Sequence, residues 1–179
     1  PVVVFTGKVP RALIGNDAFQ EVDIVGITRP CTKHNYLVKS IDDLARTIRE
    51  AFHIACSGRP GPVLIDLPKD IANTHTQYDT QAPVHLKSYN PTYNPNMKQL
   101  KKIVPLIENT QRPMIFAGGG VILSKASDQL TELARKARIP VTTSLMGLGA
   151  FPGSDPLWLG MIGMHGTYRA NMSTGNCDL

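Results

Sequence analysis

The 179-residue chain has no apolar run that approaches the roughly 20 residues of a membrane-spanning helix. It also lacks the composition of a disordered segment, because 42% of its residues are hydrophobic and only 18% are charged. These values are typical of a folded α/β protein. We therefore expect one or two compact domains and no association with a membrane.

The three cysteines, Cys31, Cys56 and Cys177, are odd in number and contain no CxxC pair. This pattern argues against a disulfide framework and against a zinc site, and it suits a reducing compartment, so we predict a cytoplasmic protein. The five histidines are too dispersed to nominate metal ligands, and no GxSxG or HExxH motif occurs. We expect no metal site in this chain.

The net charge is +5 and the isoelectric point is near 9.2. A basic protein can bind nucleic acid, but here the lysines and arginines are spread along the chain. Aromatic residues make up 6% of the sequence and do not alternate with the basic ones, as a base-stacking surface requires. We therefore predict no nucleic-acid partner.

The first half of the sequence predicts a strand, a helix and a second strand. Residues 2–5 are a continuous apolar run, which is typical of a strand buried on both faces of a parallel sheet. Residues 16–25 predict one helical turn, and an extended segment is expected around Pro30. Ser40 opens the clearest helix, with Asp43 at capping-box spacing and Gly58 at the left-handed position that follows a helix. Residues 63–65 form the next apolar strand, so the pattern predicts a parallel crossover.

Residues 73–96 contain few aliphatic side chains and many prolines and amides, which indicates a linker between two domains. Beyond it, residues 100–107 predict a helix that Pro105 should kink or shorten. A strand over residues 114–117 runs into a glycine triplet, and a helix over residues 130–137 leads to a strand over residues 139–143. This alternation predicts an α/β fold of parallel sheets flanked by helices.

Three loops stand where parallel sheets bind ligands, beyond the carboxyl ends of strands. The triplet 118–120 could let backbone N–H groups approach a phosphate, or it could be a tight turn. Lys69 follows the strand that ends at Asp66, where it could meet an anion or simply face solvent. Met164 and His165 lie between glycines and could contact a flat ring or pack in a core. The residues alone leave these alternatives open.

Five segments together resemble one enzyme family, the acetolactate synthase (acetohydroxyacid synthase) large subunits. They are GKVPRALIGNDAFQEVDIVGITRPCTKHNYLV, RPGPVLIDLPKDI, GGGV, SLMGLGAFP and LGMIGMHGTYRAN. The RPGPVxxDxPxD pattern is shared by many thiamine-diphosphate enzymes, whereas DAFQE, TRPCTKHN and GMHGTYRAN together are specific to this family. The similarity runs in register from residue 1 to residue 179.

The resemblance implies a three-domain enzyme, of which this chain looks like an internal fragment that is inactive alone. Residues 1–72 resemble the end of a pyrimidine-binding domain, residues 73–96 a linker, and residues 97–179 the start of a Rossmann-like, FAD-binding central domain. The implied activity is thiamine-diphosphate-dependent decarboxylation of pyruvate and its joining to a second 2-oxoacid such as 2-oxobutyrate. This step begins the synthesis of isoleucine, valine and leucine. A homodimer or homotetramer of catalytic subunits and a small regulatory subunit are the implied partners.

The resemblance also assigns site roles to individual residues of this sequence. Gln20 matches a residue beside thiamine diphosphate, and Phe19, Lys33 and Lys69 match positions that line the substrate channel. The positions that match FAD contacts are Arg59, Gly119, Ser144, Leu145, Ile162, Gly163, Met164 and His165. The activating glutamate would lie upstream of residue 1 and the Mg²⁺ ligands downstream of residue 179, so we expect no catalytic residue here. Lys8 stands where the family usually has glutamine.

Two other hypotheses about function compete with acetolactate synthase. Glyoxylate carboligase, pyruvate oxidase and 2-oxoacid decarboxylases share the RPGPV segment but not the combination of the other motifs. A non-enzymatic nucleotide-binding module would need only the glycine-rich loops and the parallel sheets.

Overall fold

A computed structural model of the chain describes residues 1–78, 84 and 86–179. It confirms the α/β prediction, because the chain forms two parallel three-stranded sheets flanked by helices. The chain divides into two compact units, Pro1–Asn94 and Pro95–Leu179. Residues 79–83 and 85, which belong to the predicted linker, lie outside the described residues.

The sheet of the first unit contains three parallel strands, β1 (Val2–Lys8), β2 (His34–Leu37) and β3 (Pro62–Pro68), in the order β1-β3-β2. The central strand β3 carries the continuous apolar run, and Val63 and Ile65 are fully buried. The prediction that β1 is buried on both faces is wrong, because Val2 and Phe5 are each about half exposed. Among the described residues of this unit, β1 pairs only with β3, and Val3 of β1 packs against the core.

Helix α1 (Ile24–Thr28) begins later than the predicted turn, because Asp23 caps it by accepting a hydrogen bond from the Gly26 N–H. A 3₁₀ helix follows over Arg29–Cys31, so the predicted extended segment is wrong at Pro30 and holds only from His34 onward. The fixed φ of proline suits the first turn of such a helix.

Helix α2 (Ile41–Cys56) confirms the strongest helix prediction. The Ser40 side chain accepts from the Asp42 N–H rather than from the predicted Asp43, whose carboxylate instead accepts from Arg46. Gly58 has φ +58° just beyond the helix end, a conformation that glycine adopts without steric cost. The buried face of the helix packs with the residues of β3 in one core cluster. A short helix, α3 (Lys69–Ala72), starts directly where β3 ends.

The segment after α3 is partly packed against the first unit, although it was predicted to be a linker. Leu86 and Tyr89 pack against the core of this unit, and the Tyr93 hydroxyl accepts a hydrogen bond from the Gly58 N–H. The boundary between the two compact units falls between Asn94 and Pro95.

The sheet of the second unit contains β4 (Ile115–Ala117), β5 (Val141–Thr143) and β6 (Trp158–Met161), all parallel and in that order. Four helices accompany it: α4 (Met97–Asn109), α5 (Gly119–Leu123), α6 (Ser127–Ala137) and α7 (Tyr168–Asn176). The core joins Leu130 and Ala134 of α6 to Val141 and to Phe151. Strand β6 and helix α7 were not predicted from the sequence.

Helix α4 runs through Pro105 without ending there, so the expectation of short turns is wrong. Proline removes the hydrogen bond to the Lys101 carbonyl. Both residues are exposed, so water can solvate that carbonyl group. Asn96 caps the helix by accepting from the N–H groups of Lys98 and Gln99.

Across the part of the chain that the structure describes, every helix is too short or too polar to cross a membrane.

Candidate functional site

A cavity of about 680 Å³ opens at the carboxyl edge of the first sheet. This is the edge at which open parallel sheets bind ligands, because the loops that follow the strands diverge there. The lining comes from the end of β1, from the loop that follows it, and from the junction of β3 with α3: Phe5, Thr6, Gly7, Lys8, Val9, Pro10, Gln20, Leu67, Lys69 and Ala72.

A buried pair of opposite charges lies beneath this cavity. Asp66 of β3 is fully buried, and the Lys8 side chain is only 8% exposed. The Lys8 ammonium lies 3.6 Å from Asp66 Oδ2, while the Thr6 hydroxyl donates to Oδ1 at 2.8 Å. Among the described residues, Oδ2 has no hydrogen-bond donor, so Lys8 is the charge that compensates it. A buried carboxylate without such a partner is costly.

The loop that carries Gln20 is closed on itself by Glu21. The Glu21 carboxylate accepts from the Gly15 N–H at 2.5 Å and from the Ala18 N–H at 3.1 Å. These hydrogen bonds, the one from Gly15 above all, hold the pKa of Glu21 below its ordinary value. Gln20 itself has φ +64°, a left-handed conformation that is uncommon for a residue other than glycine. The loop is therefore a defined structure that presents Gln20 to the cavity.

Arg11 connects the segments that follow all three strands of this sheet. Its guanidinium donates from Nε to Asp70 Oδ2 at 2.7 Å and from Nη1 to the Lys39 carbonyl at 2.7 Å, and its N–H donates to Asp70 Oδ1. The Arg11 side chain thereby lowers the pKa of Asp70. Both side chains are partly solvated, so the Arg11–Asp70 ion pair contributes less to stability than a buried ion pair would.

Two of the predicted site residues of this unit line the cavity, and a third is the exposed neighbour of one of them in the chain. Gln20 and Lys69 are part of the lining. Phe19 is on the same loop and is 89% exposed. Their assigned contacts with thiamine diphosphate and substrate remain predictions.

The other two predicted residues, Lys33 and Arg59, lie at the opposite edge of the sheet, before β2 and β3 begin. The Lys33 ammonium donates to the Ile54 and Ser57 carbonyls at the end of α2 and to the Tyr89 hydroxyl. These contacts use its three protons. The hydrogen bond from Lys33 also lowers the pKa of Tyr89. The structure does not bring Lys33 or Arg59 together with the cavity residues, and their assigned roles stay predictions.

In the second unit, the remaining predicted residues share one edge of the sheet. Gly119 follows β4, Ser144 and Leu145 follow β5, and residues 162–165 follow β6. Since the three strands are parallel, these loops all lie at the carboxyl edge. Large apolar side chains are exposed on them, with Leu145 at 68% and Met164 at 92%.

Glycines set how closely the loops of this edge approach one another. A Cβ at Gly147 would lie 2.4 Å from the Ala117 carbonyl oxygen, so only glycine permits this approach of the 145–147 turn to β4. Gly160 has φ +95°, and a Cβ there would lie 2.3 Å from Thr167 Cγ2. By contrast, Gly120 and Gly163 face open space. The edge thus combines packed glycines with exposed ones that leave backbone accessible.

Helix α7 braces the loop that contains Met164 and His165. The Asn171 carboxamide accepts from the Gly163 N–H at 2.9 Å and donates to the Gly163 carbonyl at 3.0 Å. Thr167 donates to the Leu159 carbonyl and accepts from the Ala170 N–H, so it caps α7 and ties it to β6. The loop conformation is therefore determined by the first turns of the following helix.

One polar atom of this edge is buried without a partner. Thr143 Oγ1, at the end of β5, has no hydrogen bond to any described residue. Buried polar atoms usually have a hydrogen-bond partner, so this hydroxyl is a candidate for one supplied from outside the described residues. No cluster of three or more histidine, cysteine or acidic side chains suited to a metal ion occurs within residues 1–78, 84 and 86–179.

Sequence reasoning assigned no role to Lys8, Arg11, Thr167 or Asn171. All four lie in segments that carry the family resemblance, because Lys8 and Arg11 belong to the segment that starts GKVPR, and Thr167 and Asn171 belong to GMHGTYRAN. Lys8 was noted only as a departure from the family pattern. Its pairing with Asp66 depends on the register that places Thr6 opposite Asp66, which cannot be read from one strand.

Residues 100–179 match the family model of the thiamine pyrophosphate enzyme central domain. The whole chain is 50% identical to the acetolactate synthase large subunit of Buchnera aphidicola subsp. Schlechtendalia chinensis, of which it covers 32%. It is likewise 50% identical to a probable acetolactate synthase large subunit of Methanocaldococcus jannaschii and covers 31% of that protein. The identity to acetolactate synthase isozyme 3 large subunit of Escherichia coli is 46%, again over the whole chain and 32% of the relative. The chain spans about a third of the length of these relatives.

Proposed function

We propose that this chain, whose residues 100–179 match the family model of the thiamine pyrophosphate enzyme central domain, forms part of an acetolactate synthase catalytic subunit. The observation that carries the proposal is identity near 50% along all 179 residues to relatives that are named acetolactate synthase large subunit. The proposed reaction is decarboxylation of pyruvate and joining of the remaining two-carbon unit to pyruvate or 2-oxobutyrate. It is the first common step of branched-chain amino-acid synthesis.

In this proposal, residues 1–72 are the end of the pyrimidine-binding domain, residues 73–96 the linker and residues 97–179 the start of the central domain. Thiamine diphosphate, when bound, supplies the decarboxylation and carbon–carbon bond-forming chemistry. Gln20 contacts it from the cavity lining, on the loop that Glu21 closes. The Lys69 ammonium attracts the carboxylate of a 2-oxoacid toward the same cavity.

Flavin adenine dinucleotide is the second proposed cofactor, held by the carboxyl edge of the second unit. Three features fit a flat ring system with a nucleotide attached. The exposed Leu145 and Met164 offer apolar contact, Gly120 and Gly163 leave open space beside the backbone, and the Thr143 hydroxyl is unpaired. Gly119, Ser144, Leu145 and residues 162–165 are the proposed contacts here. The family resemblance also assigns Arg59 to this cofactor, and that assignment rests on the resemblance alone.

The proposals for the metal ion, the assembly and the cellular location follow from the same sequence identity to these relatives. Mg²⁺ would be held by residues outside this chain, so no step is assigned to it here. The proposed assembly is a dimer or tetramer of catalytic subunits with a small regulatory subunit, in the cytoplasm.

A chimeric enzyme tests the proposal directly. Residues 1–179 replace the aligned third of a characterised acetolactate synthase large subunit, and the product formed from pyruvate is identified with thiamine diphosphate, Mg²⁺ and flavin present. We expect acetolactate as the main product, because the transplanted segment supplies matching cavity and loop residues. A chimera with the glutamate of the host enzyme's active site removed is the inactive control.

A folded chimera that released mainly free acetaldehyde or an oxidised acid would assign the chain to another thiamine-diphosphate enzyme. A folded chimera that formed no product, while the parent enzyme remained active under the same conditions, would contradict the proposal altogether.

A further inference from the structure

The Lys8 side chain joins three parts of the first unit at one buried point. Lys8 is the last residue of β1, and its ammonium faces Asp66 of β3 at 3.6 Å. The same ammonium donates to the Val22 carbonyl at 2.8 Å. Val22 lies two residues beyond Gln20, at the end of the loop that closes through Glu21. The two strand ends and the cavity loop therefore share a single charged group.

We infer that Lys8 is a positioning residue that holds the segment 15–22 over the cavity and thereby sets the affinity of the cavity for its cofactor. The inference deepens the proposed function and rests on it where thiamine diphosphate is taken as that cofactor. Lys8 acts through the Val22 carbonyl and the Asp66 carboxylate, not through contact with the reacting atoms.

The internal hydrogen bonds of the segment make a single anchor sufficient. Glu21 ties Gly15 and Ala18 together, so residues 15–21 form one hydrogen-bonded loop. The Lys8 contact at Val22 connects this loop to Asp66 of β3, which is fully buried and also accepts from Thr6. Loss of the anchor is expected to displace Gln20 without unfolding the loop itself.

The charge on Lys8 matters as well as its hydrogen bond. Glutamine is the residue that the family resemblance implies at this position, and a glutamine amide could still donate to the Val22 carbonyl. It would bring no positive charge to Asp66. This chain therefore gains a buried ion pair at the base of the loop, and the two contributions can be separated by substitution.

Two readouts on the full-length protein that carries this chain test the inference. Hydrogen exchange followed by mass spectrometry reports the opening of residues 15–22 without any cofactor. Acetolactate formation as a function of thiamine diphosphate concentration gives the half-saturating concentration separately from kcat. The variants are Lys8→Met, which removes donor and charge, and Lys8→Gln, which removes the charge alone. Lys39→Met is the matched control, because Lys39 is an exposed lysine outside the cavity lining.

For Lys8→Met we expect exchange in residues 15–22 to accelerate about tenfold, the size expected when one hydrogen bond to a charged group is lost. The half-saturating concentration of thiamine diphosphate should rise by about the same factor, and kcat at saturating cofactor should change much less. Lys8→Gln should lie between Lys8→Met and the unchanged protein, and Lys39→Met should match the latter. If Lys8→Met does not fold, Lys8→Gln combined with Asp66→Asn removes both charges and retains the donor. Its exchange in 15–22 should stay near that of the unchanged protein.

Unchanged exchange in residues 15–22 of Lys8→Met, or of Lys8→Gln where Lys8→Met does not fold, would overturn the inference. So would a fall in kcat at unchanged half-saturating cofactor, because that pattern indicates only a smaller folded fraction. Rapid exchange in the neutral double variant, which keeps the amide donor, would contradict the anchor at Val22. If the protein without any substitution forms no acetolactate, the proposed function is refuted. The exchange measurement would still decide the role of Lys8.

Discussion

The carboxyl edges of the two sheets are held in place by different means. In the first unit the loop beside the cavity is anchored by a buried charge pair, Lys8 with Asp66. In the second unit the loops are shaped by glycines that pack tightly and by the exposed carboxamide of Asn171. A buried charge is costly when its partner is removed, whereas an exposed hydrogen bond is replaced by water. We therefore expect removal of a charge partner at the first edge to lower stability strongly. Loss of an exposed hydrogen bond at the second edge should lower it less.

The largest effect is expected from Lys8→Met. It leaves the Asp66 carboxylate buried without a compensating charge, and breaking a buried pair in this way typically costs about 3–5 kcal/mol. Native-state hydrogen exchange of the β3 amides, residues 63–65, should show a decrease of that order in the free energy of opening. Adding Asp66→Leu to Lys8→Met should recover much of the loss, and a double variant as unstable as the single one would contradict the electrostatic explanation.

Gly160→Ala should have the next largest effect. Gly160 has φ +95°, and a Cβ would collide with the Thr167 side chain that caps α7. Backbone strain of this kind costs about 1–3 kcal/mol, before the collision is counted. Trp158, the one tryptophan of the sequence, lies two residues away on β6, so its fluorescence can follow urea unfolding of this unit.

The matched control is Gly175→Ala in α7, where a Cβ meets nothing within 4 Å. Alanine favours a helix over glycine by up to about 1 kcal/mol, so this variant should be unchanged or slightly more stable. Equal destabilisation by both substitutions would show that the position of the glycine does not matter.

These contacts show which parts of the structure could be foreseen. Helix α2 and strand β3 have strong periodic or continuous apolar patterns, and both were predicted. Strand β6 is four residues long and contains Gly160, and helix α7 is rich in residues of low helix propensity, so neither has a clear pattern. Helix α4 continues through Pro105, and Lys101, whose carbonyl loses its hydrogen bond there, is exposed to water. That exposure cannot be read from the sequence.

The candidate site divides in the same way. Family resemblance placed Gln20 and Lys69, and the structure puts both at one cavity. It also assigned Lys33 to the substrate channel, and that role stays a prediction. In the structure the Lys33 ammonium donates to the Ser57 carbonyl and to the Tyr89 hydroxyl. Contacts such as Lys8 with Asp66 depend on which strands are neighbours, and that information is absent from local sequence patterns.

A smaller effect is expected from Asn171→Ala. Two exposed hydrogen bonds to Gly163 are lost, each worth about 0.5–1.5 kcal/mol at most. Exchange of the Gly163 amide should accelerate, and the dissociation constant for flavin, measured by fluorescence titration of the full-length protein, should rise about tenfold. Asn176→Ala is the control, because the Asn176 side chain donates only to its own helix at Met172. Identical flavin affinity in both variants would contradict a bracing role for Asn171.

The smallest expected effect is a pH dependence of the loop that Glu21 closes. The pKa of Glu21 is lowered, chiefly by the Gly15 N–H, so the carboxylate stabilises the loop fully above its ordinary pKa of 4.5. That contribution is lost as the pH falls through the lowered pKa of the folded state. The chemical shift of the Gly15 amide should titrate below pH 4.5 in the unchanged protein and not in Glu21→Gln. A Gly15 titration that persists in Glu21→Gln would assign it to another group.

We propose that the carboxyl edges of the two sheets bind two different cofactors. A crystal structure of the full-length protein with thiamine diphosphate and flavin bound is the decisive measurement. We expect the thiamine cofactor in contact with Gln20, and the flavin against Gly119 and the loop braced by Asn171. A flavin bound elsewhere, or a Gln20 side chain that contacts only protein, would contradict it.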